Sequence, residues 1–428
     1  MKKTLFQNVP CTVCGCVCDD LSITVEGGRI TSAEGACDLA RPRFLEQNAY
    51  FPPVAEIRGE SVPLDEAITA AVAILRQAKS PLIYGLSRST TEGQRAAVAL
   101  AELVGATIDT TAATGHAPSL MALQQVGEST CSLGEVKSRA DLVIYWGCDP
   151  LTTHPRHVER YAPPRPGRTI VAVDVRETAT SKAANSAIRL KPESDWEALW
   201  TLRALVKGVP MPEASPELAA LANQMKLAKF GVVFFGGGLI KGALANKNVE
   251  ALLQLVTDLN DHTRFYARRM RRFGDIAGAD SVLTWQTGYP FGVNFSKGYP
   301  RFNPGEFSAP AMLARREVDA CLFVGSETSA EFPPEAIEHL KSIPVIALEA
   351  PNTVTMAPPA VRFTTAVYGV HRPGTAYRMD EIPIPLQVLL PTHYPSDGEV
   401  MERLHSAILA ELSGDNCGTF PNPKGSKC

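Results

Sequence analysis

Five cysteines crowd the start of this chain. The stretch PCTVCGCVCDD, residues 10–20, holds Cys11, Cys14, Cys16 and Cys18, and Cys37 follows in GACDLA. Thiolates this close repel one another and oxidise easily, so such a run is most often closed around a metal. Cys11, Cys14, Cys18 and Cys37 have the spacing C-x2-C-x3-C-x18-C, enough sulfur for one 4Fe–4S cubane. Zinc could use four of the five thiols, and a redox-active dithiol is the third chemistry open to them. Cys16 is the odd member: either it points away from the cluster or it substitutes for Cys18.

Other candidates stand where apolar runs stop. In YWGCDP, Gly147 permits close backbone approach to a ligand, and Asp149 can accept from a guanine or cap the next turn. Asp174, closing VAVDV, is placed like the acids that hold a nucleotide ribose or base, and Arg176 can meet a phosphate. Asp195 in KPESDWE reads as the N-cap of a helix starting at Trp196. Gly236, Gly237 and Gly238 can cradle a pyrophosphate or simply turn the chain. His154 and His157 lack further ligands nearby, so HPRH reads as a polar contact loop and not as a zinc site. Arg268, Arg269, Arg271 and Arg272 in ARRMRRFGD read, taken alone, as a solvated basic face. Asn294, Lys297, Arg301 and Asn303 lie in GVNFSKGYPRFNPGE, a surface loop suited to phosphate or partner contact. Cys131 and Cys321 read as small buried hydrophobes.

These residues need a scaffold, and the rhythm of the chain supplies one. LSITVEGGRITSAEG alternates about Gly27-Gly28 as a β-hairpin, which would return Cys37 toward the other thiols. From residue 61, continuous apolar runs alternate with helical patterns: PLIYGL, ADLVIYWG, RTIVAVDV, FGVVFFGGG, VDACLFVGS and IPVIALEA are strands. Leu64–Ala78, TEGQRAAVALAELVGA, DWEALWTLRALVKG, NVEALLQLVTDLNDH and EAIEHLKS are helices. That is an α/β fold with parallel sheets of doubly wound type covered on both faces, plus a small N-terminal Fe–S β unit. Ligands of such sheets bind beyond the strands' carboxyl ends, where YGLS, YWGCDP, DVRET, FFGGG and VGSET stand. The expected divisions are 1–55 for the cysteine unit, 56–165 and 166–360 for two α/β domains, 361–413 for a C-terminal segment and 414–428 for a mobile tail.

Bulk properties exclude several classes. The 428 residues carry a net charge of −3, with 45% apolar and 20% charged residues, which gives no reason to expect nucleic acid or an anionic membrane as partner. No secretory segment opens the chain and no apolar window would span a bilayer. Scattered further cysteines (Cys131, Cys148, Cys321, Cys417, Cys428) suit reduced thiols, so the expected location is the cytoplasm.

The cysteine pattern followed by glycine-ended strands resembles the molybdopterin oxidoreductases that carry bis-guanine-dinucleotide cofactors. More narrowly, TAATGHAPSLMALQQVG, SLGEVKSRADLVIYWGCDP, HPRHVERY, VDVRETATS, GVNFSKGYPRFNPGEFSA and TAVYGVHRPGTAYRMDEIPIPL resemble the B-type subunit of formylmethanofuran dehydrogenase. They also resemble its bacterial counterpart, the B-type subunit of the formyltransferase/hydrolase complex. The likeness runs over about residues 5–390. It implies a 4Fe–4S cluster on Cys11, Cys14, Cys18 and Cys37, and molybdenum or tungsten on a pterin guanine dinucleotide. It also implies one-carbon chemistry linking formyl-methanofuran, formate and CO2, and partner subunits of the A, C and D type. Asp195 matches the family's second nucleotide contact, His116 an active-site histidine able to shuttle a proton, and Arg271 an arginine that could hold formate.

The chain departs from the family at two points. The family's metal-ligating cysteine or selenocysteine, in T-A-x-x-C-H-G-P-S, falls on Gly115, which has no donor atom. Arg269, Arg272 and Phe273 replace proline, glycine and histidine of the P-M-R-G-H-Y-N motif around Arg271. Either the metallopterin persists without a protein ligand, or the subunit is a non-redox scaffold in a complex that releases formate. Both departures favour the scaffold; the retained cysteines argue against complete decay.

Overall fold

Three larger β-sheets and a two-stranded one, Gly374–Tyr377 with Pro383–Leu386, organise the chain, in a computed structural model that describes residues 3–47, 51–242, 244–351, 353 and 355–416. The N-terminal sheet is antiparallel, with strands Lys3–Val9, Leu21–Glu26 and Arg29–Glu34. Its second and third strands form the expected hairpin. Gly27 (φ 59°) and Gly28 (φ 77°) both take the positive φ that a tight two-residue turn demands.

A five-stranded sheet runs in the order Ser186–Arg189, Thr169–Asp174, Leu142–Trp146, Phe230–Phe235, Arg264–Arg269, with every pair parallel. Leu142–Trp146 and Phe230–Phe235 are buried at every position, as their unbroken apolar runs require. The largest sheet has nine strands. Its centre is parallel: Thr107–Thr110, Pro81–Gly85, Ala320–Val324, Val345–Glu349 and Val361–Thr364. Short antiparallel strands close both edges, Val293–Asn294 with Arg301–Phe302 on one side and Ala55–Ile57 with Glu60–Ser61 on the other. Helices cover these sheets; Thr91–Val104, for example, is capped by Thr90 at its start and by left-handed Gly105 at its end.

The expected boundary at 165/166 falls between Leu142–Trp146 and Thr169–Asp174, which pair directly. Strands 142–269 form a sheet of their own, inserted between Thr107–Thr110 and Val293–Asn294 of the larger sheet. Strand Val361–Thr364, assigned to a separate C-terminal segment, also pairs into that larger sheet. Local periodicity locates strands but is blind to which of them pair across a long insertion. Two further expectations change. GVNFSKGYPRFNPGE is not a free loop but supplies edge strands, with Asn294 buried. Of the tail 414–428, the first three residues continue helix Asp397–Asn416, and residues from 417 lie outside the described part.

Each large sheet reverses its strand order once. In the five-stranded sheet the reversal lies between Leu142–Trp146 and Phe230–Phe235; in the larger one it lies between Pro81–Gly85 and Ala320–Val324. Such switch points leave a crevice at the strands' carboxyl ends.

Candidate functional site

The cysteine loop is built by its own backbone. Cys11 N–H donates to the Cys18 carbonyl at 2.7 Å and Val17 N–H to that of Cys14 at 3.1 Å. Cys37 returns after the hairpin and opens the turn into helix Arg41–Leu45, its carbonyl accepting from Ala40 and Arg41. Cys11, Cys14, Cys16 and Cys18 are buried and Cys37 half-buried, and every described cysteine is a free thiol. Burial pushes the Cys11 thiol well up, and Cys14, Cys18 and Cys37 add to this, so the four sulfurs are within electrostatic reach. Cys14 is pulled down to about 6, first by a hydrogen bond from Cys16, with His154 and Arg88 assisting. Among the described residues no group of three or more His, Cys, Asp or Glu is arranged to hold a metal ion. The donor set nevertheless suits a cluster: soft thiolates beside the guanidiniums of Arg88, Arg156 and Arg160.

HPRHVERY braces this loop. Arg156 binds Asp20 through two hydrogen bonds of 2.7 and 2.8 Å, and Arg160 binds Asp19 at 2.6 Å. His157 lies 3.8 Å from the Cys16 sulfur, edge-on to Phe234, and burial drives its basicity down to about 3. His154 uses both ring nitrogens, on the Arg271 carbonyl at 2.7 Å and the Thr153 hydroxyl at 2.8 Å. His154 is thus fully engaged, while His157 Nε2 is buried without a partner among the described residues.

The cysteine loop touches the Arg271 segment directly. Gly15 N–H donates to the Arg271 carbonyl at 3.2 Å, and a Cβ at Gly15 would stand 2.4 Å from that oxygen. The run read as a solvated face is mostly interior: Arg268, Arg269 and Arg271 are buried and only Arg272 is exposed. Strand Arg264–Arg269 ends here and turns the basic side chains inward, where each finds a carboxylate. Arg269 meets Glu128 at 2.8 Å, Arg271 meets Asp280 at 2.6 Å, and Arg268 meets Glu381 at 2.8 Å. Asp280 also accepts from the Thr110 hydroxyl at 2.9 Å, which ties Arg271 to the segment leading into Gly115 and His116.

His116 sits between the short turn Ala112–Gly115 and helix Ala117–Val126. It is buried, and burial first, then Arg271, Arg269 and His154, hold its basicity well below that of a free imidazole. Its carbonyl accepts from the Ser119 hydroxyl at 2.8 Å. Nothing lies within 4 Å of where a Gly115 Cβ would stand. Arg268 Nε, Arg269 Nη1, Arg271 Nε and Glu128 Oε1 are buried without partners. Each such group costs about 1–3 kcal/mol until a partner arrives.

The expected nucleotide-binding residues converge on the crevice of the five-stranded sheet. Gly147 (φ 57°) and Gly236–Gly238 close on each other there. Gly238 N–H donates to the Gly147 carbonyl at 2.7 Å, and a Cβ at Gly236 would meet Cys148 at 2.6 Å. Only Gly237 faces open space. Asp149 is consumed by Thr180 and Thr152. Asp174 and Asp195 remain available. Asp174 accepts from Arg176 N–H through one oxygen, and Asp195 from the Trp146 indole at 2.7 Å. The charges of Asp174 and Asp149 both reach Cys148, and that of Asp174 reaches Asp195, so the acids form one group. Asp195 is the first residue of its helix, not the cap; Ser194 holds that place. Asn294 and Arg301 are spent on each other at 2.6 Å.

Sequence reasoning marked the strand ends at the crevice of the larger sheet but missed the residues that line it. Gly85 (φ 118°) and Gly325 (φ 77°) stand at its strand ends. A narrow pocket there is lined by Arg43, Arg88, Glu327, Tyr368 and Asp397. Arg43 reaches it from the helix that follows Cys37; burial first, then Arg88, lowers its basicity, and the charge of Cys11 is also felt. Arg88 binds Glu327 at 2.9 Å and the carbonyls of Thr12 and Val13 at 3.1 and 3.0 Å, joining pocket to cysteine loop. YGLS and VGSET mark the two strand ends, but nothing local signals Arg43 or Tyr368.

No family model matches the chain. It is 38% identical over 427 residues to the B-type subunit of tungsten-containing formylmethanofuran dehydrogenase 2 from Methanocaldococcus jannaschii, covering 95% of this chain and 98% of the relative. The same-named protein of Methanococcus maripaludis is 34% identical over 94% of this chain and 98% of its own length. The B-type subunit of the formyltransferase/hydrolase complex of Methylorubrum extorquens is 28% identical over 64% of this chain and 74% of that protein. Among solved structures, a chain of the Methylorubrum extorquens formyltransferase/hydrolase complex with methylofuran superposes with a TM-score of 0.72 at 23% identity, covering 84% of this chain and 99% of that one. Acetylene hydratase from Pelobacter acetylenicus superposes with a TM-score of 0.67 at 11% identity, covering 95% of this chain and 70% of the other. Both share the fold of this chain.

Proposed function

This chain belongs to the family of B-type formylmethanofuran dehydrogenase subunits, and from that we propose that it is the component that handles formate and CO2 within a multi-subunit complex of one-carbon metabolism. The observation that carries the reading is the group of buried arginines beside His116. A decayed site gains by pairing its polar atoms, whereas here Arg269 Nη1 and Arg271 Nε stay buried without partners among the described residues, and nothing stands within 4 Å of a Cβ at Gly115.

Cys11, Cys14, Cys18 and Cys37 would hold a 4Fe–4S cluster. Asp174, Arg176 and Asp195 at one crevice, and Arg43, Arg88 and Tyr368 at the other, would hold a molybdenum or tungsten pterin guanine dinucleotide. When bound, these groups supply one-electron relay and two-electron exchange with the substrate. This chain's residues do the rest. The Arg271 guanidinium, kept in place by Asp280, binds the carboxylate. His116, held neutral at neutral pH by its burial and the nearby arginines, would accept a proton at a ring nitrogen, becoming briefly cationic, and hand it back. The Gly15–Arg271 backbone contact sets the cysteine loop against this group of arginines with no side chain between. Gly115 has no donor atom, so this chain would offer the metal no side-chain ligand at that position.

The free thiols fit a cytoplasmic complex with subunits of the A, C and D type. Among the described residues no helix is long and apolar enough to cross a membrane. A second reading, a non-redox scaffold in a formyltransferase/hydrolase complex, is favoured by Gly115 and by Arg272 and Phe273 beside Arg271. Metal and nucleotide analysis of the purified complex separates the two. Tungsten or molybdenum stoichiometric with this chain, and guanine nucleotide released by acid, is the expected result. Iron without either metal would establish the scaffold.

A further inference from the structure

Three buried guanidiniums face three carboxylates: Arg268 with Glu381, Arg269 with Glu128 and Arg271 with Asp280. The cluster is neutral as it stands. A monoanion entering it leaves an uncompensated buried charge unless a resident carboxylate moves away. The three residents differ in how freely they can. The side chains of Glu128 and Asp280 are 3% and 5% exposed, and Asp280 is held a second time by Thr110. Glu381 is 40% exposed.

Glu381 also occupies the place of a bound carboxylate. One of its oxygens accepts from both Nη atoms of Arg268 at 2.8 Å, and the other lies 3.7 Å from Arg271 Nη2. It therefore spans the arginine assigned to formate and the next one outward. It stands in the turn between strands Gly374–Tyr377 and Pro383–Leu386 with φ at 59°, a left-handed conformation costly for a residue with a Cβ. The turn is closed by its own backbone, Glu381 N–H donating to the Arg378 carbonyl at 2.8 Å and Arg378 N–H to that of Ile382 at 3.0 Å, so the side chain can leave the arginines without opening the turn.

We propose that Glu381 is the exchangeable carboxylate of a small-carboxylate site, whose place across Arg268 and Arg271 is taken by formate while Glu381 turns out toward solvent. This rests on the reading that formate is handled at Arg271. Glu381 then acts as an internal competitor: it keeps the buried arginines paired when the site is empty and lowers the apparent affinity for formate. Larger carboxylates are disfavoured because Arg268 and Arg271 are nearly enclosed.

Equilibrium dialysis of the purified complex against isotopically labelled sodium formate, at constant ionic strength, tests this. The quantity read is the binding that Arg271→Gln abolishes, which removes any contribution of other subunits. Glu381→Gln should tighten that binding by about tenfold, as expected if the outward state is populated about one part in ten. Glu381→Asp keeps the charge but shortens the reach, and should fall between wild type and Glu381→Gln. Should Glu381→Gln fail to assemble, the Asp variant carries the same comparison. Unchanged or weaker Arg271-dependent binding in these variants would overturn the exchange, and would instead fit formate entering together with a proton onto Asp280. Absence of any Arg271-dependent binding in the wild type would overturn the formate reading itself, and this inference with it.

Discussion

The two switch-point crevices answer the same topological situation in opposite ways. In the five-stranded sheet, glycine meets glycine, with Gly147 against Gly236–Gly238, and three acids, Asp149, Asp174 and Asp195, gather there with Arg176. In the larger sheet, Gly85 presses on the backbone of the neighbouring strand, and two arginines, Arg43 and Arg88, face the cleft. The first crevice is an end that can accept hydrogen bonds from a base or sugar. The second sets two arginines against two carboxylates, Glu327 and Asp397, and is continuous with the cysteine loop through Arg88. Identical topology thus leaves the chemistry of each end to the few side chains that other segments deliver.

The comparison breaks most severely at its glycines. A Cβ on Gly85 would stand 2.2 Å from the Val324 carbonyl oxygen at a φ of 118°. Gly85→Ala should cost about 3 kcal/mol or more and abolish assembly of the complex, as read by chemical denaturation and gel filtration. Arg88→Met should follow. It removes the link from Glu327 to the Thr12 and Val13 carbonyls and should destabilise by about 2 kcal/mol. Because those carbonyls belong to the cysteine loop, iron content should fall as well; unchanged iron would detach the larger sheet's crevice from the cysteines.

Titration sharpens the contrast because buried groups on the two sides shift in opposite senses. Glu349, at the end of Val345–Glu349 in the larger sheet, is pushed up to about 8, chiefly by burial, with Glu327 adding. The folded chain therefore binds a proton that the unfolded chain has lost. Stability is full below the unfolded carboxyl value and falls as pH rises from about 4.5 to about 8, by about 1 kcal/mol per pH unit. His157, against strand Phe230–Phe235 of the other sheet, is driven down to about 3 from 6.5, so its contribution is lost as pH falls through that window. Melting temperatures across this range should show Glu349→Gln flattening the alkaline side alone. A Gln variant with the wild-type profile would place the titration elsewhere. The smallest effect belongs to Gly237→Ala, within about 0.5 kcal/mol, because nothing stands near its Cβ; Gly236→Ala, facing Cys148, should cost clearly more.

Much of the architecture was legible because it is local. The Gly27–Gly28 hairpin, the buried runs of Leu142–Trp146 and Phe230–Phe235, and the cap pair Thr90 and Gly105 each declare themselves within a few residues. The convergence of Gly147, Asp174, Asp195 and Gly236 followed from one rule, that ligands gather at strand ends. Where the reading failed, the deciding partner was far away in the chain. Arg269 looked solvated because Glu128, 141 positions earlier, is what makes its burial possible. Asn294 looked free because Thr107 and Arg301 claim it only once the sheet edge forms.

By itself, then, the sequence determined the element types, the hairpin between Cys18 and Cys37, and the family to which its motifs belong. Only the tertiary structure decided that 142–269 is an insertion, that the basic run turns inward onto three carboxylates, and that Arg43 and Arg88 arm a second crevice. The physical reason is the same in each case. Propensity, periodicity and turn chemistry act over a few residues, whereas burying a charge depends on a partner brought from another part of the chain.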